Sequence, residues 1–221
     1  MNTDKMMAEI HYYSQNGSSD FPKVIQMTQT LLENGYRHSE IYFYRGQAHH
    51  ELNELTVAIP FYKESIKLSD DVIANGYAWT KIQSSHNLAN IYFDLDLYNE
   101  CISTCEFNLN FFTNDSRMLS NQLFYTNALY LTAHCIYLKS LTKTNIDSDS
   151  LLGMTKSFSE TNFGIDCIST AISFIPNSVD YLFVAGMLYK LNGDLNNARI
   201  SFTKAANLGD RQSIIQLSKL N

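Results

Sequence analysis

Ile41-Tyr-Phe-Tyr-Arg-Gly46-Gln-Ala-His-His-Glu-Leu-Asn53-Glu-Leu-Thr-Val-Ala58-Ile-Pro-Phe-Tyr62-Lys-Glu-Ser65-Ile-Lys-Leu68 has a counterpart near the other end of the chain. That counterpart is Tyr181-Leu-Phe-Val-Ala-Gly186-Met-Leu-Tyr189-Lys-Leu-Asn-Gly193-Asp-Leu-Asn-Asn-Ala198-Arg-Ile-Ser-Phe202-Thr-Lys-Ala205-Ala-Asn-Leu208. In both, glycine is followed 12 positions later by alanine (46 to 58, 186 to 198). An aromatic stands four positions further on (Tyr62, Phe202), and a small residue three beyond it (Ser65, Ala205). A third copy runs through Ala89, Cys101 and Cys105. Two antiparallel helices joined by a tight turn account for the spacing. Small side chains at their crossing let the backbones approach, and the aromatic fills the gap to the next pair.

Apolar residues recur at helical spacing along most of the chain, with no sustained alternation of period two. Asn192-Gly193-Asp194 supplies a left-handed helix end followed by an N-cap. The repeat resembles the tetratricopeptide repeat, a 34-residue helix pair with small residues at its 8th, 20th and 27th positions and an aromatic at its 24th. In that register repeats begin near Lys5, Ser39, Ile82, Thr126 and Val179. The resemblance implies an all-α fold: a right-handed α-solenoid of antiparallel helix pairs, forming a single domain over residues 1–221.

Several stretches depart from the pattern. Tyr12 stands where the first unit needs a small residue, as an end repeat with one unpartnered face allows. Residues 73–81 are additional and carry Tyr77 and Trp79, which reads as a lengthened helix. In the fourth unit the small pair is Ala133 and Gly164, so an insertion is expected over about 142–160. It centres on the polar tract Thr142–Ser150, which has loop composition. The second helix then resumes through Ile165 and Ile168 and stops at Pro176. Ile214, Ile215 and Leu217 predict a capping helix over about 210–220.

The composition narrows the function. With 16 Lys+Arg against 22 Asp+Glu and no basic run, the chain lacks the clustered cations that nucleic acid or an anionic membrane would demand. No stretch approaches the roughly 20 apolar residues of a membrane span, and the first ten residues lack the apolar core of a signal peptide. A cytoplasmic protein is expected, with Cys101, Cys105, Cys135 and Cys167 as reduced thiols. There is no phosphate loop, nucleophile elbow or HExxH, so no enzyme and no cofactor is expected. Cys101 and Cys105 stand four apart on one helix but occupy core positions and lack a second pair, which argues packing and no metal. His49, His50, His86 and His134 are spread over three units and are not expected to converge on a metal either.

The resemblance implies that the first helix of each pair lines a concave groove. Its groove positions hold Phe43, Tyr44, Gln47, His50 and Glu51 in the second unit, and His86, Asn87, Asn90, Phe93 and Asp94 in the third. The fourth supplies Tyr130, Leu131, His134, Tyr137 and Leu138, and the last Phe183, Met187 and Lys190. Rings give contact area at low entropic cost, and amides satisfy a peptide backbone. The expected partner-binding set is therefore Phe43, Tyr44, Gln47, His50, His86, Asn87, Asn90, Phe93, Tyr130, His134, Tyr137 and Phe183. Members of the family that clamp acidic C-termini use lysines and an arginine here. His86 stands in place of the lysine and no arginine follows, so that ligand is not expected. The expected function is a protein-interaction adaptor or scaffold holding a peptide or partner segment. The alternatives are a chaperone for a secreted or assembling client and a peptide-sensing regulator.

Overall fold

The turns carry the repeat into three dimensions. A computed structural model describes residues 2–15, 20–69, 79–114, 122–142 and 151–220. In it Asn53, Asp96 and Gly193 take positive φ, at 60°, 58° and 79°. Beside each, an amide donates to the carbonyl five residues back: Glu54 to His49 at 2.9 Å, Leu97 to Tyr92 at 2.8 Å, Asp194 to Tyr189 at 2.9 Å. This left-handed closure satisfies carbonyls that a helix end would otherwise leave open. Glycine adopts it without strain, and asparagine and aspartate are the next most tolerant residues. Asp194 then caps the following helix, accepting from Asn197 N at 3.0 Å.

Every element among the described residues is an α-helix. The first unit, Met1–Ile91, contains α1 (Thr3–Ser14), α2 (Phe21–Glu33), α3 (Ser39–Glu51) and α4 (Leu55–Leu68), plus most of α5 (Trp79–Asp94). Helices adjacent in sequence pack on one another, α1 on α2, α2 on α3 and α3 on α4. Ile10, Val24, Met27, Leu31, Ile41 and Ala48 form a core, in which each larger side chain contributes about 1.5–3 kcal/mol. Tyr12, bulky at a small-residue position, is 59% exposed and leaves that interior to Ile10. The Tyr62 ring lies across Gly46, where a β-carbon would meet it at 3.0–3.2 Å. Where α3, α4 and α5 meet, the small residues are hydroxylic and also bond. Ser65 Oγ donates to Ser39 O at 2.9 Å, Ser84 Oγ to Ser65 Oγ at 2.9 Å, and Thr80 lies 3.1 Å from Ser69. All four serines are completely or almost completely buried, so these bonds offset what their burial costs.

The second unit, Tyr92–Asn221, takes the end of α5. It continues with α6 (Tyr98–Asn114), α7 (Gln122–Thr142), α8 (Leu151–Phe174), α9 (Val179–Leu191), α10 (Leu195–Asn207) and α11 (Arg211–Ser218). Its core runs from Leu129, Ala133 and Ile136 through Ile168 and Ala171 to Leu188, Ala198 and Phe202. Gly164 of α8 faces Ile136 and Leu188, and a β-carbon there would meet them at 3.3–3.4 Å.

The fourth unit differs from the reading of its polar tract. α7 extends to Thr142 and α8 already begins at Leu151, so residues 151–160 are helical and not loop. Residues 143–150 lie outside the described residues. The lengthened helix expected over 73–81 also falls mostly outside them, since 70–78 are not described and only Trp79–Lys81 open α5. The C-terminal segment forms α11, capped by Asp210 accepting from Ser213 N at 2.9 Å.

Candidate functional site

The twelve residues expected to bind a partner fall into two groups, one in each unit. In the first unit Phe43 is buried, 7% exposed, against the rings of Tyr44 and Tyr62 (centroids 5.3 and 6.3 Å). It is core and offers a partner little area. Tyr44 is half-buried, with its hydroxyl 2.7 Å from His11 Nδ1. Gln47 and His50 are half-buried further along α3. His50 meets Tyr62 edge-on, and Asn87 Nδ2 donates to the Tyr62 hydroxyl at 3.0 Å. Asn90 Nδ2 donates at 2.8 Å to the His86 carbonyl of its own helix. Each asparagine amide thus has a donor bond inside the unit. Burial, and secondarily the nearby His50, pushes the His86 imidazole down to about 4. Burial also holds the Tyr62 phenol well above its ordinary range, opposed by the bond from Asn87. At neutral pH His86 and Tyr62 are therefore both uncharged.

The second unit gathers its members more tightly. Phe93, at the end of α5, lies 5.0 Å from the His134 ring. Tyr130, one turn before His134 on α7, lies 5.3 Å from it. On its other side Tyr130 stacks on Tyr181 of α9, at 5.0 Å and 24°. Phe93, Tyr130, His134 and Tyr181 are all half-buried. Tyr137 stacks on His134 at 6.2 Å and 17°, but at 9% exposure it belongs to the core. Leu131 and Met187 are buried as well, at 4% and 9%, so these two groove positions also turn inward. Phe183 leans on Phe202 at 6.0 Å, outside the ring cluster. Lys190 Nζ donates to Gln216 of α11 at 3.0 Å.

Electrostatics single out this cluster. His134 Nδ1 is buried with no hydrogen-bond partner, so protonating it would place an unsatisfied N–H in the interior. Burial lowers the imidazole pKa, and Asp180 opposes that shift only in part. Burial raises Tyr130 to about 12, with Asp180 next among the causes. Reading the sequence missed Tyr181 and Asp180. Both sit in the first turn of α9, just before the groove position at Phe183, and an aromatic following an acidic residue was the available signal.

The cysteines gather in the same unit. Cys101, Cys105, Cys135 and Cys167 are buried and form no disulfide. Among the described residues no three histidines, cysteines or carboxylates are arranged to hold a metal. Nor is any described helix long and apolar enough to cross a membrane.

The tetratricopeptide-repeat profile matches residues 39–72 and 179–208, the two segments in which Tyr62 lies over Gly46 and Phe202 over Gly186. The chain carries tetratricopeptide repeats. Solved repeat structures share its fold at low identity. MamA from Desulfovibrio magneticus RS-1 is 14% identical, with 93% of each chain covered and a TM-score of 0.64. A Podosopora anserina protein of nearly identical TPR-like repeats is 9% identical, covering 92% of this chain and 93% of its own, at 0.60. Acl4, an assembly chaperone of RpL4, is 12% identical, covering 100% of this chain and 83% of its own, at 0.64. Among the curated proteins none matches the chain in sequence. The fold is thus the all-α, tetratricopeptide type of solenoid.

Proposed function

We propose that this repeat protein is an adaptor that holds a segment of a partner protein, with the ring cluster of residues 92–221 as an anchoring surface. One observation carries the reading. Four half-buried rings from three helices, Phe93, Tyr130, His134 and Tyr181, are held together by one another and keep part of their area open. Rigid aromatic surface of this kind, with its rotamers already fixed, loses little entropy on binding and supplies most interface hot spots. Tyr44, Gln47, His50, His86, Asn87 and Asn90, all half-buried, form a separate polar set within the first unit. The protein acts by binding and not by chemistry, in the cytoplasm, where its buried thiols stay reduced.

The test is a contrast between two tyrosines on α7. A partner captured from native lysate is narrowed to its binding segment, and affinity and thermal stability are then measured for each variant. Tyr130→Ala and Phe93→Ala should each cost over about 1 kcal/mol of affinity while the free protein stays folded. Tyr137→Ala should instead cost about 3 kcal/mol of stability, because its ring is core. Normal binding by both Tyr130→Ala and Phe93→Ala would remove the cluster as the anchor.

A further inference from the structure

We propose that Phe93, Tyr130, His134 and Tyr181, together with the Asp180 carboxylate, form a subsite for an arginine side chain of the bound segment. The inference rests on the adaptor reading and names the chemistry of one contact within it. Aromatic faces carry negative potential, and a cation placed over them is attracted without losing apolar contact. The Tyr130–Tyr181 pair, 24° from parallel, presents flat surface of the kind a planar guanidinium stacks on. Asp180 stands beside Tyr181 in the first turn of α9, is exposed, and has no ion-pair partner among the described residues.

Two further features keep the place free of competing positive charge. His134, the one basic group in the cluster, stays neutral at physiological pH because its buried Nδ1 has nothing to donate to. Lys190 stands in the last turn of the same helix, at the far end from Asp180 in the first, and donates to Gln216. An uncompensated carboxylate beside stacked phenols therefore complements a fixed, weakly hydrated cation. Arginine fits this better than lysine, whose compact and strongly hydrated ammonium gains less from a flat face. The excess of 22 acidic over 16 basic residues favours such a partner at longer range.

A random-peptide phage library selected on the immobilised full chain tests the inference. Arginine should be enriched in the recovered peptides. One recovered peptide and its arginine-to-citrulline form are then titrated against the wild type and Asp180→Asn. Citrulline keeps the shape and removes the charge. Each change alone should weaken binding about tenfold, and the two together no more than either alone, because both delete one interaction. Asp180→Glu should restore most of the affinity. If Asp180→Asn proves unstable, Tyr181→Leu replaces it and should weaken the arginine peptide but not the citrulline form. Recovered peptides without arginine, or full affinity in the charge-removing variants, overturn the arginine subsite and leave the adaptor reading standing. A library that yields no binder overturns both.

Discussion

Phe202→Ala should lower stability by about 3–5 kcal/mol, the range for deleting a fully enclosed ring. Phe202 is completely buried and lies directly over Gly186, where a β-carbon would come within 2.5–2.8 Å of three ring atoms. The glycine and the ring are thus two halves of one contact, and the site is damaged from either side. Gly186→Ala drives a methyl into the ring, and Gly186→Leu overpacks it further, at a cost on the order of 1–3 kcal/mol or more. The geometry also predicts how the damage couples. Phe202→Leu, which shortens the intruding side chain, should recover part of what Gly186→Ala loses, so the double variant is more stable than the summed single losses. Urea denaturation of the three variants measures this. Strict additivity would mean that the ring does not occupy the space beside Gly186.

Acidification should destabilise the protein before most of its carboxylates titrate, with His86 the chief cause. In the unfolded chain this imidazole takes up a proton near 6.5; in the folded chain it does so only near 4. Between those values the unfolded state binds more protons, so stability increases with pH. It is fully present above about 6.5 and is lost as pH falls toward 4. Between pH 7 and pH 5 the loss from His86 alone is about 2 kcal/mol. His134, whose pKa is also lowered, acts in the same direction. His86→Gln should flatten the wild-type decline, as read from urea midpoints at the two pH values. An equal decline in both proteins would show that His86 titrates normally in the fold.

What could be read in the sequence was what sterics forbids to vary. Gly46 and Gly186 stand where a ring crosses the backbone and leaves little room for a larger side chain, so their spacing to Tyr62 and Phe202 is a visible pattern. The start of α8 was not legible. Leu151–Glu160 includes Ser157 and Ser159, Thr155 and Gly153, residues of loop composition, yet it is helical in a 24-residue element. Composition is a weak guide to where a helix begins once its tertiary neighbours decide. Among the candidate binding residues, register predicted which helix face a side chain occupies but not its depth. Phe43 and Tyr137 sit at groove positions and are nonetheless enclosed by neighbouring rings. Tyr181 and Asp180 came to light only through the stack on Tyr130, a contact between residues far apart in the chain.

The left-handed turns at Asn53, Asp96 and Gly193 have a kinetic consequence. Each closes a helix on itself with a bond spanning five residues, and the principal helix contacts join neighbours in sequence. Little loop entropy has to be lost before such contacts form, so the ordering of one pair need not wait for a distant strand or terminus. Ordering in such an array can start at any adjacent helix pair and spread to its neighbours.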